Sequence, residues 1–312
     1  MFEVTFLGTS ASAPSIHRGL SAQVVKYDEY RFLIDCGEGT QRQILKSGLG
    51  FKRLNRVLIT HGHLDHILGL GGLLSTFMRW ETIDKIDIYG GRSALDRIKD
   101  LIYGVVLRGI KPPVELDFLE VRTGVIFDDG DFTLSAFSVS HRGPDCFGYT
   151  FEKKPRRPFL PEKAEALNIP QGPWRRNLVA GESTALPDGR VIQPDQVLGP
   201  ERPGTKFVHV GDVSRIENLV KHVYGADTLV IESTFLNEDV DMAKRFGHLT
   251  AHSAATLASK ADVKNLLLTH ISRRYRERDI WAEANEVFPN TRVARDFDTF
   301  QIKRGECIKL EK

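Results

Sequence analysis

The run His61-Gly62-His63-Leu64-Asp65-His66 places three imidazoles and a carboxylate within six residues. It follows an apolar stretch, Arg56–Thr60 (RVLIT), that reads as a buried strand, and it opens a helix-like stretch from Leu64. Imidazoles crowded into such a turn repel one another when protonated and are costly to bury unpaired. A metal ion removes that cost. His61 and His63, two residues apart, can face one side of an extended turn, while Asp65 and His66 reach a second ion. Three more polar residues end apolar runs: His141 after Phe132–Val139, Asp212 in HVGDVSR, and His270 in LLLTHIS. Strand ends are where α/β sheets present their chemistry. Each of the three alone reads as a cap or turn residue; with the HGHLDH turn they become candidate ligands.

Positioning such a set requires a layered scaffold, and the periodicity supplies one. Phe2–Leu7, Ala22–Tyr27, Arg31–Asp35, Lys85–Tyr89, Glu115–Val121, Phe147–Phe151, Lys206–Val210, Thr228–Ile231 and Asn265–Thr269 read as strands. Helical stretches are read at Glu38–Lys46, Leu64–Met78, Arg92–Val106, Ile216–Lys221, Ala251–Lys260 and Ile280–Val287. The alternation predicts an α/β protein with helices covering its sheets, in one domain over residues 1–312. Residues 152–205 depart from it, with nine of the fourteen prolines, the basic clusters Lys153–Arg157 and Trp174-Arg175-Arg176, and Gly172–Pro173. We read this stretch as an inserted, protruding arm.

With 41% apolar and 27% charged residues, the 312-residue chain is neither disordered nor collagenous. No apolar run approaches the roughly 18–20 residues of a membrane span. The three cysteines, Cys36, Cys146 and Cys307, are far apart and odd in number, which points to a reducing compartment. The start of the chain carries no leader-like pattern, and the reading is a soluble cytoplasmic protein. A net charge of +2 leaves any nucleic-acid role to local patches.

HGHLDH resembles the HxHxDH motif of the metallo-β-lactamase superfamily, which implies an αββα sandwich with two metal ions between its sheets. The superfamily pattern implies His61, His63 and His141 on one ion, and Asp65, His66 and His270 on the other, with Asp212 bridging. Imidazoles and carboxylates favour two zinc ions per subunit, with manganese or iron as alternatives. Such a pair with Asp65, Asp212 and a hydroxide keeps one net positive charge, which suits a phosphodiester.

Three features bear on the substrate. His248 lies in His248-Leu249-Thr250, ahead of the helix Ala251–Lys260, with Thr250 a candidate N-cap; His252 is the alternative if the register differs. Ser272–Arg278 places Arg273, Arg274 and Arg276 with a tyrosine beside His270, a composition suited to phosphate clamping and base stacking. The arm adds further basic clusters. Together with FLGTSASAP, LIDCGEGTQRQ, TALPDGRVIQPDQVLGP, ESTFLNE and LLLTHISRRY, these make the chain resemble the ribonuclease Z (tRNase Z) family, short form, across essentially its whole length.

That resemblance implies an endonuclease removing 3′ trailers from precursor tRNA by metal-hydroxide attack, leaving a tRNA 3′-hydroxyl and a trailer 5′-phosphate. It implies Asp65 as base and orienter, His248 as proton donor, the arm as a tRNA exosite, and a homodimer. One departure stands out. The family's PxKxRN loop appears here as Pro14-Ser15-Ile16-His17-Arg18-Gly19, so Arg18 remains as an RNA contact and the lysine and asparagine are gone. Weaker discrimination at the tRNA 3′ end is the expected consequence. The rival readings are a small-molecule phosphodiesterase or thioesterase of the superfamily, and a catalytically dead RNA-binding module. The basic runs count against the first, the intact ligand residues against the second.

Overall fold

Alternate residues of the opening strands point to opposite faces, and each face finds its own core. In the computed structural model, which describes residues 1–80 and 83–311, Val25 pairs with Phe32 and Val24 with Leu33 across one hairpin. Val25 and Phe32 join Phe2, Phe6, Phe132, Tyr149, Phe151 and Phe207 in an aromatic core between two sheets. Val24 and Leu33 turn the other way, toward a core shared with the helices around Ile44, Leu73 and Ile98. A third core seats the helices Ala251–Lys260 and Glu277–Val287 on the outer face of the second sheet.

Eight strands form the first sheet, in the order Glu306–Leu310, Thr299–Lys303, Phe2–Gly8, Ala22–Tyr27, Tyr30–Ile34, Arg56–Leu58, Lys85–Gly90, Glu115–Glu120. Seven form the second: Thr291–Val293, Leu266–Thr269, Thr228–Glu232, Lys206–His209, Phe147–Lys153, Phe132–Ser138, Gly124–Asp128. Both sheets mix parallel and antiparallel pairs, giving the αββα sandwich. Parallel neighbours end at a common edge, so Asp35, His61, Asp212, Glu232 and His270 all lie at carboxyl ends of strands or just beyond them.

The structure departs from the sequence reading in several elements. The predicted helix Leu64–Met78 is two helices, Leu64–Ile67 and Leu70–Trp80. Gly69 lies between them, where a Cβ would meet the Gly37 carbonyl oxygen at 2.0 Å, and its N–H donates to the Cys36 carbonyl at 2.9 Å. Beyond Lys99 the helix that begins at Arg92 widens into π geometry over Asp100–Leu107. The predicted helix Ile216–Lys221 is a single turn at Val220–Val223. The sequence reading passed over the helix Val240–Phe246 and the strands Gly124–Asp128, Thr291–Val293, Thr299–Lys303 and Glu306–Leu310.

Residues 153–204 form a compact unit of their own. Two short helices, Pro161–Ala166 and Pro173–Val179, and a hairpin of Thr184–Ala185 with Val191–Ile192 enclose a small core of Ala164, Ile169, Leu178, Leu186, Ile192 and Val197. Some of its basic residues serve this unit. Arg157 donates to Asp195 and to the Gly199 carbonyl, and Arg175 to the Ile169 carbonyl.

Candidate metal centre

Four histidines of the candidate centre, His61, His66, His141 and His270, are aimed by the nitrogen that faces away from it. Thr60 Oγ1 donates to Asp35, so it accepts from His61 Nδ1 at 3.0 Å. His66 Nδ1 meets Asp35 Oδ2 at 2.7 Å, and His141 Nδ1 donates to the Gly247 carbonyl at 2.8 Å. His270 Nδ1 lies 2.9 Å from Thr234 Oγ1, which itself donates to Glu232. Such outer partners fix tautomer and ring direction and leave the inner nitrogens free for a ligand. His270 and Asp35 both hold left-handed backbone conformations, each with φ of 56°, a strain that recurs at functional sites.

The inner atoms converge. His61 Nε2 and His63 Nδ1 are 2.9 Å apart. Asp212 Oδ2 lies 3.7 Å from His61 Nε2, 3.5 Å from His66 Nε2 and 3.8 Å from His141 Nε2. Its other oxygen is 3.3 Å from His270 Nε2, and Asp65 Oδ2 is 3.7 Å from both His66 and His270. Ligand atoms at about 2.0–2.2 Å from one tetrahedral ion stand roughly 3.3–3.6 Å apart. The separations in the cluster, from 2.9 to 3.8 Å, bracket that spacing. Its members group as His61, His63, His141 with Asp212, and as Asp65, His66, His270.

The buried inner atoms supply the test of fit. His66 Nε2, His141 Nε2, His270 Nε2 and Asp212 Oδ1 have no hydrogen-bond partner. Leaving several such groups unpaired together is costly, and a cation between them satisfies all of them at once. The electrostatics agree. Burial, with their histidine neighbours, pushes His61 and His63 below the ordinary imidazole range, and burial does the same for His141, leaving neutral donors. Burial works against the Asp65 and Asp212 carboxylates, yet the surrounding histidines hold both well below the usual range. Burial also opposes charge on His66, but Asp212 and Asp35 raise it, a field that favours positive charge at this point.

His248 joins the cluster from the loop before the helix Ala251–Lys260, whose N-cap is Thr250 as expected. Its Nδ1 lies 3.0 Å from Glu232 Oε1 and 3.8 Å from Asp212 Oδ2. Burial alone would lower its pKa; the charge and hydrogen bond of Glu232, with Asp212, raise it to about 9. Glu232 is fully buried, and its carboxylate also accepts the Val213 N–H at 2.8 Å. It therefore ties His248 to Asp212 through the neighbouring backbone, and to His270 through Thr234. His252 lies outside the cluster, exposed on its helix.

A cleft of about 350 Å³ opens over His63, Asp65, Asp212 and His248. Arg273 and Arg274 line it, as does Arg142, which the sequence reading missed although it adjoins His141. Arg276 instead sits at the N-cap of Glu277–Val287 and pairs with Asp279 at 3.3 Å. Tyr275 donates to Asp239, and Phe235 and Phe246 supply the aromatic lining, nearly parallel at 9°. Arg18 is turned inward, toward Thr9, Ala294 and Glu277.

Asp35, Thr60, Thr234 and Glu232 are the other residues that sequence reasoning did not single out. Asp35 and Glu232 lie in LIDCGEGTQRQ and ESTFLNE, both quoted only for resemblance. Asp35→Asn, which keeps the shape but loses the charge behind His66, is expected to weaken metal affinity by about 10–100-fold. Titration against a chelator measures it, and unchanged affinity would remove Asp35 from the centre.

Comparison with known proteins fits this geometry. A family model described as beta-lactamase superfamily domain matches residues 193–271, and one described as anti-Pycsar protein Apyc1 matches residues 2–141. A ribonuclease Z of Bradyrhizobium diazoefficiens is 46% identical over 298 residues, covering 96% of this chain and 99% of that protein. A ribonuclease BN of Proteus mirabilis is 38% identical over 96% of this chain and all of its own length. Among solved structures, human tRNase Z, short form (ELAC1), superposes with a TM-score of 0.68 at 28% identity, covering 96% of this chain and 99% of that one. With nearly full-length relatives at such identity, the chain belongs to the ribonuclease Z family of the metallo-β-lactamase fold.

Proposed function

We propose that this protein is a zinc-dependent endonuclease that cuts precursor tRNA on the 3′ side of the acceptor stem. The observation that carries the reading is the paired cluster: two groups of nitrogen and oxygen donors meeting at Asp212, with His248 held against it by a buried glutamate. His61, His63, His141 and Asp212 would hold one zinc ion, and Asp65, His66, His270 and Asp212 the other. When bound, such a pair supplies Lewis acidity and makes water acidic near neutral pH.

The residues of the chain do the rest. Asp65, its carboxyl held in the ionised form by the surrounding histidines, serves as base and orienter for the attacking water. Arg142, Arg273 and Arg274 place guanidinium groups around the scissile phosphate, and Arg276 adds charge at the adjacent helix start. As the bond from phosphorus to the ribose 3′-oxygen breaks, His248 gives that oxygen a proton. The tRNA then ends in a 3′-hydroxyl and the trailer begins with a 5′-phosphate. Glu232 keeps His248 aimed and holds it protonated until that transfer.

The ribonuclease Z relatives and the human tRNase Z likeness support tRNA as the substrate. A homodimer is what the family resemblance implies. No helix among the described residues is long and apolar enough to cross a membrane; tRNA processing accords with a cytoplasmic setting. Incubating the purified protein with end-labelled precursor tRNA and mapping both product ends tests the reading. Uncut precursor, or a trailer lacking a 5′-phosphate, would overturn it.

Residues 153–204 would act as a tRNA exosite, presenting exposed Arg156 and Arg176 with the exposed Gly172–Pro173 turn. Deleting 155–187 is expected to weaken precursor binding and flatten its salt dependence, because fewer phosphates are neutralised. Hydrolysis of a small chromogenic diester should survive, since no candidate ligand lies there. Equal loss of both activities would make the unit structural.

A further inference from the structure

Arg18 is the centre of a brace that no step above uses. Its side chain is 15% exposed. Nη1 donates to Thr9 Oγ1 at 2.6 Å and to the Ala294 carbonyl at 2.7 Å, and Nη2 to Glu277 Oε2 at 2.9 Å. Asp296 closes the same brace from the other side. Its Oδ1 accepts the Thr9 hydroxyl at 2.7 Å, and its Oδ2 accepts the Gly19 N–H at 2.6 Å and Gln43 Nε2 at 2.8 Å. Thr9 begins the loop that leaves the first strand, and Arg18 and Gly19 end it. Both ends are thus tied to one buried knot.

Several short contacts shape the span between those ends. Ser10 Oγ donates to the Ala13 carbonyl at 2.7 Å, and Ser15 Oγ accepts the N–H groups of His17 and Arg18. The Ala11 N–H donates to the Ile271 carbonyl at 3.1 Å, directly after His270. Ser12, in a left-handed conformation with φ of 55°, donates its backbone N–H to Asp65 Oδ2 at 3.1 Å. A serine holds such a conformation only when its surroundings fix it. Ala11, Ser12 and Ala13 also line the cleft.

We propose that Arg18 and Asp296 are positioning residues: by clamping the two ends of the loop 9–19 they hold the Ser12 N–H on the Asp65 carboxylate and set one wall of the cleft. The proposal rests on the reading of Asp65 as a site residue. It gives the arginine of this loop a role inside the protein rather than on the RNA. A lysine could not replace it, because one ammonium cannot span three acceptors in a fixed fork.

Arg18→Met, Arg18→Lys and Asp296→Asn, each in the full chain, test the proposal with four readouts. These are kcat and KM on precursor tRNA, kcat on bis(p-nitrophenyl) phosphate, zinc affinity by chelator competition, and the thermal midpoint. All three variants are expected to lose roughly 10-fold or more in kcat on both substrates and in zinc affinity, the range seen for partners just behind metal ligands. KM for precursor tRNA and its salt dependence should stay as in the wild type.

A raised KM with a shallower salt dependence, an intact small-diester rate and rescue by lysine would make Arg18 a phosphate contact and overturn the proposal. A lowered midpoint with kcat and zinc affinity unchanged would make the brace structural only, and overturn it too. Asp296→Asn carries no charge to or from RNA in the cleft, so it decides the matter if Arg18→Met fails to fold. A wild type that hydrolyses the diester but leaves precursor tRNA whole would refute the proposed substrate, while the diester and zinc readouts would still decide this inference.

Discussion

Asp212→Ala should lose activity more completely than any other single change, by well over 100-fold, and should lose metal with it. Removing a partner one step behind a ligand costs about 10–100-fold, and Asp212 stands where both donor groups meet. Its Oδ2 lies 3.5–3.8 Å from the inner nitrogens of His61, His66 and His141, and its Oδ1 3.3 Å from that of His270. Among the described residues no other carboxylate bridges both donor groups; the ion-pair contacts of Asp65 are with His66 and His270. Elemental analysis of the purified variant beside the wild type, with turnover on precursor tRNA, measures the effect. Two ions per chain falling to one or none is the expected result. Full activity in Asp212→Ala, or active wild type free of transition metal, would sink the two-metal reading.

His248→Ala should lower turnover by about 10²–10⁴-fold, the usual worth of a positioned general acid, while tRNA affinity stays near that of the wild type. The side chain is mostly buried, close to Asp212 and anchored on Glu232. Chemistry at the leaving oxygen provides a sharper test than the rate alone. A substrate whose bridging 3′-oxygen is replaced by sulfur leaves as a thiolate and needs no proton. If His248 is the acid, wild type and His248→Ala should cut that substrate at similar rates. Glu232→Gln, which keeps a hydrogen-bond acceptor but removes the charge that raises His248, should fall between the two on ordinary RNA. A variant that loses affinity and keeps turnover would make His248 a binding residue instead.

Much of this site was legible in the sequence because its first requirement is local. HGHLDH fixes four donors within one turn after a strand, and crowding of that kind has few explanations other than a cation. His141, Asp212 and His270 were legible for a related reason. Each ends an apolar run, and the alternation that buries a strand also says where it stops. The covering of sheets by helices followed from periodicity, since two-residue alternation and helical repeats dictate which face of each element is apolar; the αββα order came from the resemblance that HGHLDH carries.

Sequence pattern does not say which distant strand ends become neighbours, and there only the tertiary structure decided. Asp35 and His66 are 31 residues apart, and Arg18 and Glu277 are 259 apart, yet each pair is in hydrogen-bond contact. The match of the loop 14–19 to PxKxRN suggested Arg18 as an RNA contact; the fold also gives its guanidinium three partners within the protein. Tyr275 beside His270 suggested base stacking; the fold ties its hydroxyl to Asp239 and adds Phe246, on a helix the pattern did not reveal, to the lining of the cleft. The proline-rich stretch 153–204 gave no periodicity long enough to read, since its helices are six and seven residues long. Its small core forms only when those pieces pack together. Donor chemistry is written in residue types and spacing; the partners that aim each donor exist only once the two sheets bring their strand ends to one edge.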